Sequence, residues 1–145
     1  MDARECIFCK IVAGEIPAAA VYEDKAVLAF LDIGPVSDGH TLVIPKVHYP
    51  TLDQCPPEVL ANLVKPIIRL AKAVVAATRC DGYNVLCNNG LAAGQLVHHV
   101  HFHVIPRMSG DGVFHHWPSS KYSEGKMEAM ASAIRKNLEF TSGKS

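Results

Sequence analysis

Apolar positions along the chain follow two periods, and the period changes wherever Gly, Pro or Asp interrupts it. Short apolar runs of strand length occupy residues 20–23, 26–31, 41–44 and 83–87. Asp24 and Lys25 join the first two. Asp32-Ile33-Gly34-Pro35 breaks the second, and Pro45 closes the third. From residue 56 to 78 the spacing becomes helical, with Val59, Leu60, Leu63, Val64, Ile67, Ile68, Ala71, Val74 and Val75 on one stripe. Pro66 lies inside that stripe. It removes a backbone donor, which predicts a kinked helix or two shorter ones. A fifth run, residues 97–106, mixes Val97, Val100, Phe102, Val104 and Ile105 with histidines and reads as a strand closed by Pro106. Met127, Met130, Ala131, Ile134 and Leu138 mark an amphipathic terminal helix, and a Met stripe at that spacing reads as core or interface. About five strands in mostly hairpin order, one long helix and one terminal helix predict an α+β fold built on an antiparallel sheet.

The histidines change this picture. Four of the eight lie within residues 98–103. On a strand, alternate side chains share a face, so His99, His101 and His103 form one row. His98, Val100, Phe102 and Val104 form the other, the expected core side. His99 and His103 stand about 13 Å apart along such a strand, while zinc holds imidazole nitrogens at about 2.0–2.1 Å. All three therefore cannot share one ion, and at least one has another task. Neutral imidazole is a nucleophile and a base, and a row of imidazoles on a rigid strand suits attack at an anionic centre such as phosphorus. A metal cluster or a tag-like accident is the alternative; the internal position and the alternation with core residues speak against a tag.

Composition narrows the classes. A chain of 145 residues with 49% hydrophobic content is one ordinary domain, residues 1–145, that can hold a core unaided. Its motif-bearing core spans about residues 6–106, followed by a loop and helix at 107–140 and a frayed tail at 141–145. Fourteen basic residues balance fourteen acidic ones, so no general field draws nucleic acid or an anionic membrane. No apolar run approaches the roughly 18 residues of a membrane span. The charged start offers no signal-peptide core, and five cysteines make an odd count without framework spacing. The expected compartment is the reducing cytoplasm, with the nucleus as an addition. Cys6 and Cys9 carry the two-residue spacing of a zinc knuckle or a redox pair. No second such pair exists, so any zinc must recruit histidines. Cys55, Cys80 and Cys87 have no partners in sequence and read as inert.

Residues 99–105 resemble the signature of the histidine-triad (HIT) family, in which three histidines alternate with apolar residues. Residues 88–95 and 38–46 resemble two further segments of that family, and the likeness runs from about Cys6 to about Pro106. It implies a HIT-like fold whose sheet is extended across a two-fold homodimer. It further implies a nucleotide substrate, an adenine nucleotide above others. The residue matching His101 attacks the α-phosphorus and carries the nucleotidyl group. His103 binds phosphate oxygens, more usefully when protonated, and His40 supports the site. Asn88, Gly94, Gln95 and Leu96 match the phosphate-binding segment, where Gly94 permits close backbone approach and Gln95 and Asn88 add donors. Asp32 matches a ribose-binding position and Ile33 a base-packing one, with Ile7, Phe8, Ile11 and Ile16 as base-pocket candidates that ordinary core packing would explain equally well. Leu96 is a departure, because the best-known phosphoramidase members have a hydroxyl residue there.

Some relatives also carry a Cys₂His₂ set, here Cys6, Cys9, His48 and His99, which suits one closed structural zinc per chain. Free thiols and a bare His99 are the alternative. Trp117 matches a C-terminal aromatic that some relatives send toward the partner's site. The expected activity is hydrolysis of nucleoside 5′-phosphoramidates or related adenylyl adducts. A dinucleoside polyphosphate hydrolase, and a nucleotide-binding scaffold with weak activity, are the alternatives.

Overall fold

The computed structural model describes residues 4–113 and 118–141, with helix side chains given up to residue 138. His115, His116 and Trp117, and the last four residues of the predicted tail, lie outside the described residues. Two compact units divide the chain after Val113.

The first unit opens with a short helix, α1 (Ile7–Val12), capped at its N-terminus by Cys6. The sequence reading assigned no element there. Three strands follow, β1 (Ala20–Glu23), β2 (Val27–Leu31) and β3 (Thr41–Pro45). The long helix α2 (Pro57–Thr78), β4 (Gly82–Leu86) and β5 (Phe102–Arg107) complete it. The sheet has the order β1-β2-β3-β5-β4, with every pair antiparallel. The α+β expectation is met, and the last strand inserts beside β3 instead of ending a simple meander.

β2 and β3 are buried along nearly their whole length because both faces of the sheet are covered. On one face Val27, Ala29, Val43 and Val104 pack with Leu63, Ile67, Leu70, Ala71 and Val74 of α2. On the other, Leu28, Phe30, Leu42 and Ile44 pack with Cys6 and Phe8 of the N-terminal segment. Leu63 has no exposed surface, and its truncation to Ala would cost about 2–5 kcal/mol.

Two expectations need correction. The alternative of two shorter helices fails, since α2 is one helix of 22 residues that runs through Pro66. Pro66 removes only one donor, the partner of the Asn62 carbonyl, while Leu63, Pro66, Ile67 and Leu70 are all buried on the sheet side, so packing outweighs the lost bond. The predicted strand at 97–106 becomes a ladder strand only from Phe102. Upstream the chain bends, with the His99 N–H donating to Val97 O at 2.8 Å and the Val100 N–H to Tyr49 O at 2.7 Å. Val100 and Val104 are buried against α2 and Phe102 packs on them, as the alternation predicts.

The second unit contains α3 (Lys126–Thr141), with an exposed Glu128–Arg135 pair at 2.5 Å. Met127, Met130, Ile134 and Leu138 are all exposed on it. Among the described residues no helix is long and apolar enough to cross a membrane.

Candidate active site

Edge-to-face packing sets the first two histidines. The Phe8 ring meets His99 at 5.9 Å, His101 at 5.2 Å and Phe30 at 5.6 Å between centroids, at angles of 69–82°. His99 and His101 thus turn toward α1, away from the α2 face. Both are buried, and His101 meets His103 edge-to-face at 4.8 Å between ring centroids.

Hydrogen bonds then fix each ring's proton. Nδ1–H of His101 donates to the His99 carbonyl at 2.6 Å, which leaves Nε2 as the lone-pair nitrogen. Among the described residues that Nε2 has no hydrogen-bond partner. The Val36 N–H donates to Nδ1 of His40 at 3.2 Å, so the proton of neutral His40 sits on Nε2. From there it is given to Nδ1 of His103 at 2.9 Å. His103 must then carry its own proton on Nε2, and that buried atom lacks a partner among the described residues. An orphaned buried N–H costs about 1–3 kcal/mol, so its retention marks a place where a ligand oxygen fits. Asp32 stands behind this relay, its Oδ2 3.7 Å from Nδ1 of His40 and its Oδ1 accepting the Gly34 N–H at 2.9 Å.

Burial sets the charge state. It pushes His103 down to about 4, with the neighbouring His101 and His40 adding to the effect and Asp32 opposing it. Burial lowers His101 too, against the His99 carbonyl bond and Asp32. His40 is lowered by the same cause. All three imidazoles are therefore neutral near pH 7, so His103 offers a neutral N–H donor and not the protonated form expected from sequence.

His101 and His103 line a cavity of about 530 Å³. Ile7, Phe8, Ile11, Ile16, Asp32, Ile33, Gly94 and Leu96 line it as well, so all four apolar candidates of the N-terminal segment belong to its wall. Pro17, Ala18, Ala19, Phe30, Leu31, Leu42 and Val97 complete it and were not singled out from sequence. Their strand and turn positions become site positions only once β2, β3 and α1 are assembled. Gly94 sits at φ 85°, a conformation that favours glycine, beside the Asn88 side chain. Asn88 and His40 stand behind the cavity wall. Gln95 differs from the expected donor role. It is fully buried, with Gly90 N–H bonded to its Oε1 at 2.8 Å and its Nε2 donating to Pro50 O at 2.7 Å. Its side chain braces the loop from 88 to 94, and one of its two amide N–H donors is spent on Pro50 O.

The second cluster lies at the other side of His99. Cys6 Sγ is 3.5 Å from His99 Nδ1, Cys9 Sγ is 3.6 Å from it, Cys9 Sγ is 3.4 Å from His48 Nδ1, and the two Nδ1 atoms are 3.3 Å apart. Ligands held tetrahedrally by zinc at 2.0–2.3 Å stand about 3.3–3.8 Å from one another, so these spacings fit such an ion. Nε2–H of His99 donates to Pro45 O at 2.8 Å, which frees Nδ1 for the ion and supplies the supporting bond that metal-binding imidazoles need. Without a cation, burial and the Cys6 sulfur push the Cys9 thiol up to about 11. Cys55 and Cys80 are buried outside both clusters. Asp32, His40 and His103 also lie close together, the two histidines through their hydrogen bond.

Comparison with known proteins places this geometry. The profile of the HIT domain family matches residues 13–110. The chain is 43% identical over 134 residues to adenosine 5′-monophosphoramidase hnt1 of Schizosaccharomyces pombe, covering 92% of this chain and 98% of that one. It is 41% identical over 138 residues to adenylylsulfatase HINT3 of Arabidopsis thaliana, covering 93% of this chain and 70% of that one. Among solved structures, a protein of Streptococcus mutans UA159 superposes with a TM-score of 0.89 at 41% identity, over 94% of this chain and 87% of that one. A zinc-bound histidine triad family protein of Mycobacterium smegmatis superposes with a TM-score of 0.72 at 38% identity, over 97% and 99%.

Proposed function

The chain belongs to the HIT domain family, and from that premise we propose that it is a hydrolase of nucleoside 5′-phosphoramidates or closely related adenylyl adducts. The observation that carries the reading is the pairing of two fixed tautomers. His101 presents a bare Nε2, and beside it His103 presents a buried, unpartnered Nε2–H.

In the proposed reaction Nε2 of His101 attacks the α-phosphorus. The bond from phosphorus to the leaving nitrogen breaks as the nitrogen–phosphorus bond to His101 forms. His103 Nε2–H holds a non-bridging oxygen as charge builds on it. The leaving amine takes a proton and departs. Water then attacks the nucleotidyl-histidine and releases the nucleoside monophosphate, returning His101 to its neutral form. Leu96, where other members carry a hydroxyl, offers no side-chain proton. The neutral imidazoles of His40 and His103 have no proton to give without becoming imidazolates, so water in the cavity protonates the leaving amine and the hydroxide left attacks the nucleotidyl-histidine. Asp32 takes the ribose hydroxyls, and the apolar wall of Ile7, Phe8, Ile11, Ile16 and Ile33 takes the base.

Cys6, Cys9, His48 and His99 would hold one structural zinc per chain, and four protein ligands leave no open position for water. The ion would supply rigidity, tying α1 to the segment that carries His101.

A homodimer extending the sheet belongs to the same reading. β4 is an edge strand, and Val85 and Tyr83 pair across the ladder with Val104 and Pro106, which puts them on the α2 face. Both are exposed, as are Val64 and Ile68 on α2, so one edge of the molecule carries a strip of uncovered apolar residues.

The test is turnover of adenosine 5′-phosphoramidate against adenylyl sulfate and diadenosine polyphosphates, compared as kcat/KM. A clear preference for the phosphoramidate is expected. A preference for dinucleoside polyphosphates would move the assignment to that hydrolase class, and no turnover of any of them would leave a nucleotide-binding protein.

A further inference from the structure

The sheet face opposite the histidines has its own hollow, of about 520 Å³, between the turn joining β1 to β2 and the middle of α2. Its rim carries Lys25, Lys65 and Arg69. The carboxylate within it, Asp24, is already committed. Its Oδ1 accepts the N–H groups of Ala26 and Val27, both at 2.8 Å, and its Oδ2 accepts the Tyr22 hydroxyl at 2.7 Å. Those bonds hold Asp24 below the usual carboxylate range, the Tyr22 hydroxyl contributing most. Arg69 lies over the Tyr22 ring, 5.7 Å from its centroid, so the ring orients the guanidinium while leaving its donors open.

The three cations have no carboxylate partner among the described residues. Other surface cations do: Lys46 pairs with Glu23 at 2.6 Å and Arg135 with Glu128 at 2.5 Å. The spacing along α2 makes the contrast sharper. Lys65, Arg69 and Lys72 follow one another at i, i+4 and i+7, and Glu58 in the first turn is the helix's sole acid. Like charges at that spacing destabilise a helix by about 0.2–0.5 kcal/mol per pair. In a chain whose charges cancel as a whole, this one face holds three cations against the single carboxylate of Asp24 beside a concave surface.

We propose that this hollow is an anion site for an oligophosphate group, distinct from the histidine cavity. A guanidinium held near a ring face offers paired N–H donors to two phosphate oxygens, and two ammonium groups supply point charges beside it. Three cations against one spent carboxylate suit a multiply charged chain of phosphates better than a single one. Free inorganic oligophosphate and the phosphate tail of a nucleotide share this chemistry.

Titration calorimetry with inorganic tripolyphosphate tests it. The wild type is compared with the Lys65→Ala/Arg69→Ala double variant and with His103→Ala, after matched thermal melts show all three folded. The wild type is expected to bind, the double variant to bind at least about tenfold more weakly, and His103→Ala to bind as the wild type does. A repeat with ATP, reading the affinity that Lys65→Ala/Arg69→Ala removes in the His103→Ala background, identifies the source: a larger loss than with tripolyphosphate indicates a nucleotide tail, a smaller loss a free oligophosphate. No binding by the wild type up to about 10 mM overturns the proposal. So does a double variant as tight as the wild type, or a loss confined to His103→Ala. None of these results bears on hydrolysis at His101.

Discussion

The ring of His101 donates its Nδ1 proton to the backbone carbonyl of His99 at 2.6 Å, while the His99 ring turns away into the thiol cluster. One residue thus serves two sites. Its side chain stands among Cys6, Cys9 and His48, and its main chain sets the tautomer of the proposed nucleophile. Phe8 packs on both rings from the helix that Cys6 and Cys9 flank and populate, so the two clusters share a wall as well as a residue.

That arrangement makes His101 the most informative substitution. His101→Ala removes the Nε2 lone pair and leaves Asp32, the Gly94 loop and the apolar wall in place. Turnover should fall at least about 10³-fold, with the dissociation constant for AMP changed by less than about threefold. A folded variant that retains activity near the wild-type level would sink the covalent mechanism.

His40→Ala acts one bond further out. It removes the donor that fixes Nδ1 of His103, so His103 can carry its proton on either nitrogen. The expected loss lies in kcat, about 10–100-fold, with little change in KM, because the His103 N–H that meets the charge building on the phosphate oxygen is no longer fixed while the pocket is kept. An effect on KM alone would show that His40 only packs.

The pH dependence has a definite sign. Folding lowers His103 from its ordinary 6.5 to about 4. Between those values the unfolded chain binds the extra proton, so stability is fully present above about pH 6.5 and is lost as pH falls toward 4. Urea unfolding at fixed ionic strength should show that decline. It should be smaller in His103→Gln, which has no imidazole to protonate at that position. A decline as steep in His103→Gln as in the wild type would assign the acid instability elsewhere.

Much of this was legible in the sequence, for identifiable reasons. β1 matches residues 20–23, and the β2, β3, β4 and α2 boundaries fall within a residue or so of their runs, because a uniform period is a direct record of burial. The order of His99, His101 and His103 on one side survives even where the ladder is absent, since Val100 and Phe102 still need the core. Three things were not visible. Gln95 reads as a polar loop residue, and only the folded loop shows that Gly90 and Pro50 take up both ends of its amide. Pro66 reads as a breaker, and the area α2 buries outweighs one missing bond. The hydrogen bond between His40 and His103 joins residues 63 positions apart, which no local pattern records.

The exposed strip on α2 and β4 gives an assembly prediction. Val64, Ile68, Tyr83 and Val85 are 41–55% exposed, a poor use of large apolar side chains unless a second copy covers them. Light scattering at micromolar concentration should report a dimer mass. Ile68→Glu together with Val85→Lys should shift it to the monomer while the fold is kept. A wild-type monomer mass would refute the dimer.

The metal cluster gives the last prediction, and it links stability to the site. Four of the six separations among the ligand atoms are those of a tetrahedral zinc, and the Pro45 carbonyl holds the His99 ring in the tautomer that ligation requires. Protein purified without chelator should contain one zinc per chain. Cys6→Ser with Cys9→Ser should abolish it, because the remaining imidazoles cannot close the site. Zinc binds the folded chain, so its loss removes binding free energy from folding. At zinc a hundredfold above its dissociation constant that contribution is about 2.7 kcal/mol, or roughly 5–10 °C in Tm for a domain of this size. AMP affinity should fall together with Tm, because α1 carries Ile7, Phe8 and Ile11 of the cavity wall and would lose its tie to His99. Zinc well below one per chain in the wild type, or zinc fully retained by the double variant, would rule the site out.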